Sequence, residues 1–204
     1  MRGIFTSDRL NQLFEKALPL FREALSGVEE LRISAVEEAC SKVDALSAES
    51  LQVHRLTDDE LNELFVFNRF SRLFINYGKF WTQVYEGEFS ESWVSLQNCF
   101  DVMRVMRRFG SEELGSGLAV FIEQLSFAEK MYPYNVFFSI GALVDSFECS
   151  ICGNNIDSFD CIHIRGELYA GCLAQAVARN VQRLDHIGMV TNPEDKRCVV
   201  SYPD

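Results

Sequence analysis

The sequence predicts an α+β protein, a mostly helical N-terminal bundle followed by a small zinc-binding β-rich module packed on it. Three observations lead there. Through the first 140 residues, apolar side chains recur at three- and four-residue steps, the period of a helix face. After about residue 136 the segments become short, β-branched and punctuated by turn residues. Between Cys149 and Cys172 lie four cysteines and a histidine, a density that points to a metal. The expected division is a helical domain over 1–140 and a zinc module over 141–204.

The helices are justified in chain order. Residues 7–25 place Leu10, Leu13, Phe14, Ala17 and Phe21 on one face, with Pro19 expected to bend the helix. Residues 28–47 continue with Val28, Leu31, Ala35, Ala39, Val43 and Leu46. The run TDDE at 57–60 has the form of a capping box, in which Thr57 and Glu60 satisfy each other's free backbone N–H groups. Behind it come Leu61, Leu64, Phe65, Leu73, Phe74, Tyr77 and Trp81. Gly87 interrupts, and a helix restarts near Ser90 with Trp93, Leu96, Phe100, Met103 and Met106 inward. Gly110 ends it, and Ser111 can cap a fifth helix bearing Leu114, Leu118, Phe121, Ile122 and Leu125. The short connections suggest antiparallel neighbours in a bundle.

The last third reads differently. DCIHIRGELY (160–169) alternates like a hairpin with its turn at Arg165-Gly166, and Cys172–Val181 fits a short helix. HIGMVT (186–191) and RCVVSY (197–202) read as strands separated by the turn chemistry of NPEDK.

Charge and composition narrow the function. The net charge is −11, and both parts are acidic: 21 acids and 14 bases over 1–140, then 9 acids and 5 bases over 141–204. Duplex DNA binding usually needs a broad basic face, so nucleic acid is not the expected partner. Arg104, Arg107 and Arg108 form a local basic spot, which suits a solvated helix end. The N-terminal residues MRGIFTSDRLNQLF carry no apolar signal core, and the longest nearly apolar run, 135–144, is about half a membrane span. The expectation is a cytoplasmic protein with no membrane role, whose seven cysteines stay reduced. Its expected partner is another protein or a second copy of itself.

The cysteine spacing is Cys149-x2-Cys152-x8-Cys161-x-His163-x8-Cys172. A C-x-x-C pair lets two thiolates reach one ion from a tight knuckle, and Gly153 follows where such a knuckle needs cramped or left-handed backbone. Cys161 and His163 share a face of an extended segment. Three thiolates and one imidazole then complete a tetrahedral shell of the kind zinc favours. Cys172 is the rival fourth ligand, in place of His163. Cys40, Cys99 and Cys198 read as small buried hydrophobes, and His54 and His186 as isolated histidines.

This stretch resembles a zinc-knuckle motif of phage- and prophage-associated bacterial proteins. The shared residues are CSICG, then C-x-H, Gly166, Tyr169-x-Gly171 and Cys172, with IGMVTNPEDKRCVV (187–200) similar to that family's closing strand, Asn-Pro turn and strand. The resemblance covers about the last 60 residues and implies a folded zinc module with no defined reaction.

Two functional classes follow. The first is a non-enzymatic interaction or assembly protein stapled by a structural zinc. Its aromatic residues Trp81, Tyr85 and Trp93 are candidates for a contact face, although Trp93 suits the core. The alternative is a divergent HNH-like metal-dependent nuclease. That chemistry needs a base histidine and a second ion-holding His or Asn. Here His163 is already claimed by the knuckle, and the expected helix after it offers Gln175, Arg179 and Asn180 but no histidine. A Cys–His hydrolase built on Cys161 or Cys172 lacks a separate base and an orienting acid.

Overall fold

A computed structural model describes residues 3–53 and 55–199. The fold is α+β: five helices, α1 (Asp8–Glu29), α2 (Ile33–Val53), α3 (Asp58–Glu86), α4 (Phe89–Phe109) and α5 (Glu112–Glu129), precede strands β1 (Phe137–Cys149), β2 (Leu168–Tyr169), β3 (Cys172–Leu173) and β4 (Ala176–Val190). The chain divides into two compact units, Met1–Tyr132 and Pro133–Asp204.

The helical unit is built from neighbours in sequence, with α1 also packing on α3. Phe21 lies at the centre of an aromatic cluster, 5.4 Å from both Phe70 and Phe74 and 6.1 Å from Phe67 between ring centroids. Such rings bury large apolar areas in tilted, edge-favouring arrangements. Pro19 is accommodated inside α1. The anticipated second helix starts later than its apolar pattern suggests. Val28 belongs to the last turn of α1, and Leu31 takes a left-handed φ of 55° between the two helices. Nothing in the sequence marks that turn, because a leucine is an unusual occupant of left-handed backbone.

The capping box forms as expected. Glu60 N–H donates to Thr57 Oγ1 at 3.3 Å, and Thr57 N–H donates to the Glu60 carboxylate at 3.0 Å. Gly87 closes α3 with φ 81°, and Ser111 accepts the Leu114 N–H at 3.2 Å to start α5. A second cap comes from a distance. The Glu63 carboxylate accepts the backbone N–H groups of Thr6 (2.6 Å) and Ser7 (3.0 Å), tying the start of α1 to α3. Trp93 is 2% exposed and stacks obliquely on Tyr132 at 5.1 Å, so it is a core residue. Trp81 and Tyr85 are exposed. No helix of the described residues is long and apolar enough to cross a membrane.

In the second unit, β1 and β4 form an antiparallel two-stranded ribbon running from Phe137↔Val190 to Cys149↔Ala176. The register shifts after Gly141 and again after Leu143. His186 lies across Gly141, where a Cβ would sit 2.4 Å from the exposed imidazole ring and would have to push it aside. The segment expected to be a helix, 172–181, is instead β3 and the start of β4. Val177 and Val181 suit a strand, and pairing with β1 overrides the helix preference of the alanines around them. The turn expected at Arg165-Gly166 forms, with Gly166 at φ 81° and Glu167 N–H donating to Ile164 C=O at 3.0 Å, but the strand ladder lies around the next turn. Leu168↔Leu173 and Tyr169↔Cys172 form the ladder, and the tight turn is Ala170-Gly171, with φ 45° and 78°. Positive φ at both central residues is the signature of a two-residue hairpin turn. The strand expected over 197–202 lies partly outside the described residues. Within them, Cys198 C=O accepts the Phe138 N–H at 2.7 Å and Val199 bridges to Phe137.

Candidate metal centre

The centre grows from the end of β1. The strand carries Cys149 in, and the chain then reverses through Ser150-Ile151-Cys152-Gly153. Cys149 N–H donates to Asn154 C=O at 2.7 Å, and Ile156 N–H donates to Phe147 C=O at 2.8 Å, closing a tight hairpin around the knuckle. Gly153 has φ 76°, so its lack of a Cβ is what permits the reversal. Its N–H donates to Cys149 C=O at 2.9 Å. The knuckle is held to the far side of the module through Ser150, whose N–H donates to Gln175 C=O at 3.0 Å. Ser150 Oγ in turn accepts the Gln175 N–H at 2.9 Å.

The second pair of candidate ligands arrives on the irregular segment before β2. One ligand atom from each of Cys149, Cys152, Cys161 and His163 lies within 4.8 Å of all the others. Cys152 Sγ is 3.6 Å from Cys161 Sγ, and Cys161 Sγ is 3.9 Å from His163 Nδ1. A tetrahedral shell with metal–sulfur bonds of about 2.3 Å has edges of about 3.8 Å. The observed spacings match that edge, and a disulfide would need about 2.05 Å. The four residues are therefore positioned to bind one metal ion.

Burial grades across the site. Cys149 is buried, Cys161 and His163 are half-buried, and Cys152 is exposed. The Cys152 backbone N–H, followed by that of Ile151, points at the Cys149 sulfur and holds its pKa below the usual thiol value. The Cys161 thiol is pushed up, first by its removal from water and also by its neighbouring sulfurs. Sulfurs this close cannot all ionise without a cation between them. His163 is oriented by Tyr169, whose ring meets the imidazole edge-on at 4.8 Å. The Tyr169 hydroxyl accepts the Ile164 N–H at 2.9 Å, which fixes the ring beside the histidine. This supporting residue was legible only as part of the Y-x-G-C pattern.

The remaining cysteines separate clearly. Cys172 stands in β3, exposed and outside the four-residue group. Cys40 and Cys99 are buried, and burial pushes each thiol up to about 12, with Asp44 and Glu37 adding to the effect at Cys40. Cys198 was expected to be buried with them and is exposed instead, because its segment lies along the outer side of β1. His186 is exposed on the ribbon, and His54 lies outside the described residues.

No protein-family model, curated protein or solved structure matches this chain.

Proposed function

We propose that this chain is a non-enzymatic interaction or assembly protein whose C-terminal module is held together by one structural zinc ion. The observation that carries the reading is the convergence of Cys149, Cys152, Cys161 and His163 within 4.8 Å of one another. Three thiolates and one imidazole suit zinc better than magnesium or calcium, which prefer oxygen. Four protein ligands fill a tetrahedral shell, leaving no open position for substrate, the hallmark of a structural site. His163 takes the fourth place in this reading, and Cys172 stays outside it. The helical part then supplies most of the stable core, and the module supplies contact surface. The knuckle resembles those of phage- and prophage-associated proteins, and that resemblance implies a folded zinc module. A reducing, cytoplasmic setting fits its free thiols.

The nuclease alternative loses its support in the second unit. It needs a helix after the knuckle to carry its catalytic ion ligand. Arg179 and Asn180 sit instead on β4, and Arg179 is engaged by Glu148 at 2.7 Å.

Elemental analysis of the purified chain tests the proposal. The expected result is about one zinc per chain, lost or loosened by His163→Ala and retained by Cys172→Ala. Protein without zinc, or zinc lost with Cys172→Ala alone, would contradict it. Cleavage of DNA on adding Mg²⁺ or Mn²⁺ would restore the nuclease reading.

A further inference from the structure

The β1–β4 ribbon has two unlike faces. Residues paired across an antiparallel ladder share a face. Phe138–Met189, Ile140–Ile187 and Ala142–Leu184 therefore line one side as a continuous apolar stripe. Over the same stretch the other side carries Ser139–Gly188, Gly141–His186 and Leu143–Arg183, a more polar set. The stripe is open to solvent, from 40% exposure at Phe138 to 72% at Met189. A two-stranded ribbon is at best marginally stable by itself in water, and these strands of 13 and 15 residues are more than twice the usual length. The metal centre lies at the Cys149 end, and at the other end a short pairing of Cys198 and Val199 with β1 leaves the middle of the ribbon as two strands.

We infer that this stripe is a self-association surface and that its partner is the same stripe on a second copy of the chain. The inference deepens the interaction role proposed above and rests on it. Three features favour a second copy. The stripe holds no charged side chain, so an identical stripe complements it without needing opposite charge. The charges elsewhere on the ribbon nearly cancel within one chain, with Glu148 paired to Arg179 and Asp185 to Arg183. A like molecule is therefore not repelled at this face, even though the whole chain carries −11. Finally, the exposed stripe offers several hundred Å², the scale of one side of a standard interface at about 800 Å² per partner. Two ribbons stacked face to face form a two-layer, four-stranded sandwich with sheets about 10 Å apart, and two-fold symmetry makes each stripe meet its own copy.

The test is sedimentation equilibrium of the full chain with its metal, from low to high micromolar concentration. A dimer is expected. The double variant Leu184→Lys, Ile187→Lys brings like charges together at the centre and should raise the dissociation constant by about 100-fold or more. Ser139→Lys, on the opposite face, should leave it unchanged. Hydrogen exchange on the wild type removes any dependence on how the variants fold: amides of 138–142 and 184–189 should gain protection as concentration rises. A monomer at all concentrations overturns the inference, whether its ribbon is protected by other parts of the chain or left open for a different protein. A dimer that shows no such protection overturns it too. Zinc counted in the same samples keeps the two proposals apart: a zinc-loaded monomer sinks only the dimer, and a zinc-free dimer only the metal centre.

Discussion

In the helical unit, Trp93, Phe67 and Phe80 are each no more than 2% exposed, and they are only the largest members of a long buried set. In the second unit the buried apolar residues among those described are Phe137, Cys149 and Ala174. The first unit spans about twice the length of the second and encloses its side chains between helices. The second has a single ribbon layer and two short strands, so most of its side chains have nothing above them. Small modules seldom bury enough area to offset chain entropy without a staple. The comparison teaches where each unit's stability must be sought: in packed volume for the helices, and, under the zinc proposal, in ligand convergence for the β-rich module.

The strongest way to break this comparison is to remove the metal. Chelation, or Cys149→Ser, should unfold the module while leaving the helices intact. Structural zinc in small domains supplies about 10–16 kcal/mol of apparent binding free energy, most of which is folding free energy there. Amide NMR would read the outcome, with resonances of 137–190 collapsing and those of 8–129 unmoved. Loss of both sets together would show that the units are not independent. The reverse experiment comes next. Trp93→Ala should destabilise the helical unit by about 3–5 kcal/mol, because a large cavity opens beside Tyr132. Denaturant unfolding followed by circular dichroism should show the loss, with zinc content unchanged.

A smaller effect sharpens the helical side alone. Thr57→Ala removes a side-chain cap and should cost about 1 kcal/mol. The same box has a pH signature through Glu60. The Thr57 N–H, then the Ser7 hydroxyl and Arg9, hold its carboxyl below the ordinary 4.5. A carboxyl depressed on folding stabilises the protein above its unfolded value and loses that contribution as pH falls through its folded value. The advantage of wild type over Glu60→Gln should therefore be present above about pH 4.5 and fade below it. Thermal melts across that range would check the sign.

The candidate metal ligands were legible because their chemistry is carried by residue type and local spacing. C-x-x-C, its following glycine and C-x-H each specify a short geometry that needs little from the rest of the chain. The supports of that site were much less legible. Tyr169 reaches His163 because the chain turns back between them at Arg165-Gly166, where Glu167 N–H donates to Ile164 C=O at 3.0 Å; that turn is legible in the sequence, but the ring it brings beside the histidine is not. The left-handed turn at Leu31 is illegible for a different reason, since no glycine announces it.

The sequence by itself determined the α+β order, the capping box at Thr57–Glu60, the aromatic helix faces and the cysteine–histidine set. Each follows from contacts within a few residues or from a repeating period. Tertiary structure alone decided that 172–181 is strand, that Glu63 caps a helix some 56 residues away, and that an apolar stripe runs along one side of the ribbon. Those outcomes depend on which distant segment lies alongside. A valine–alanine run has no strong preference until β1 offers it a ladder of hydrogen bonds, and a stripe exists only once the register of two strands places their apolar residues on the same face.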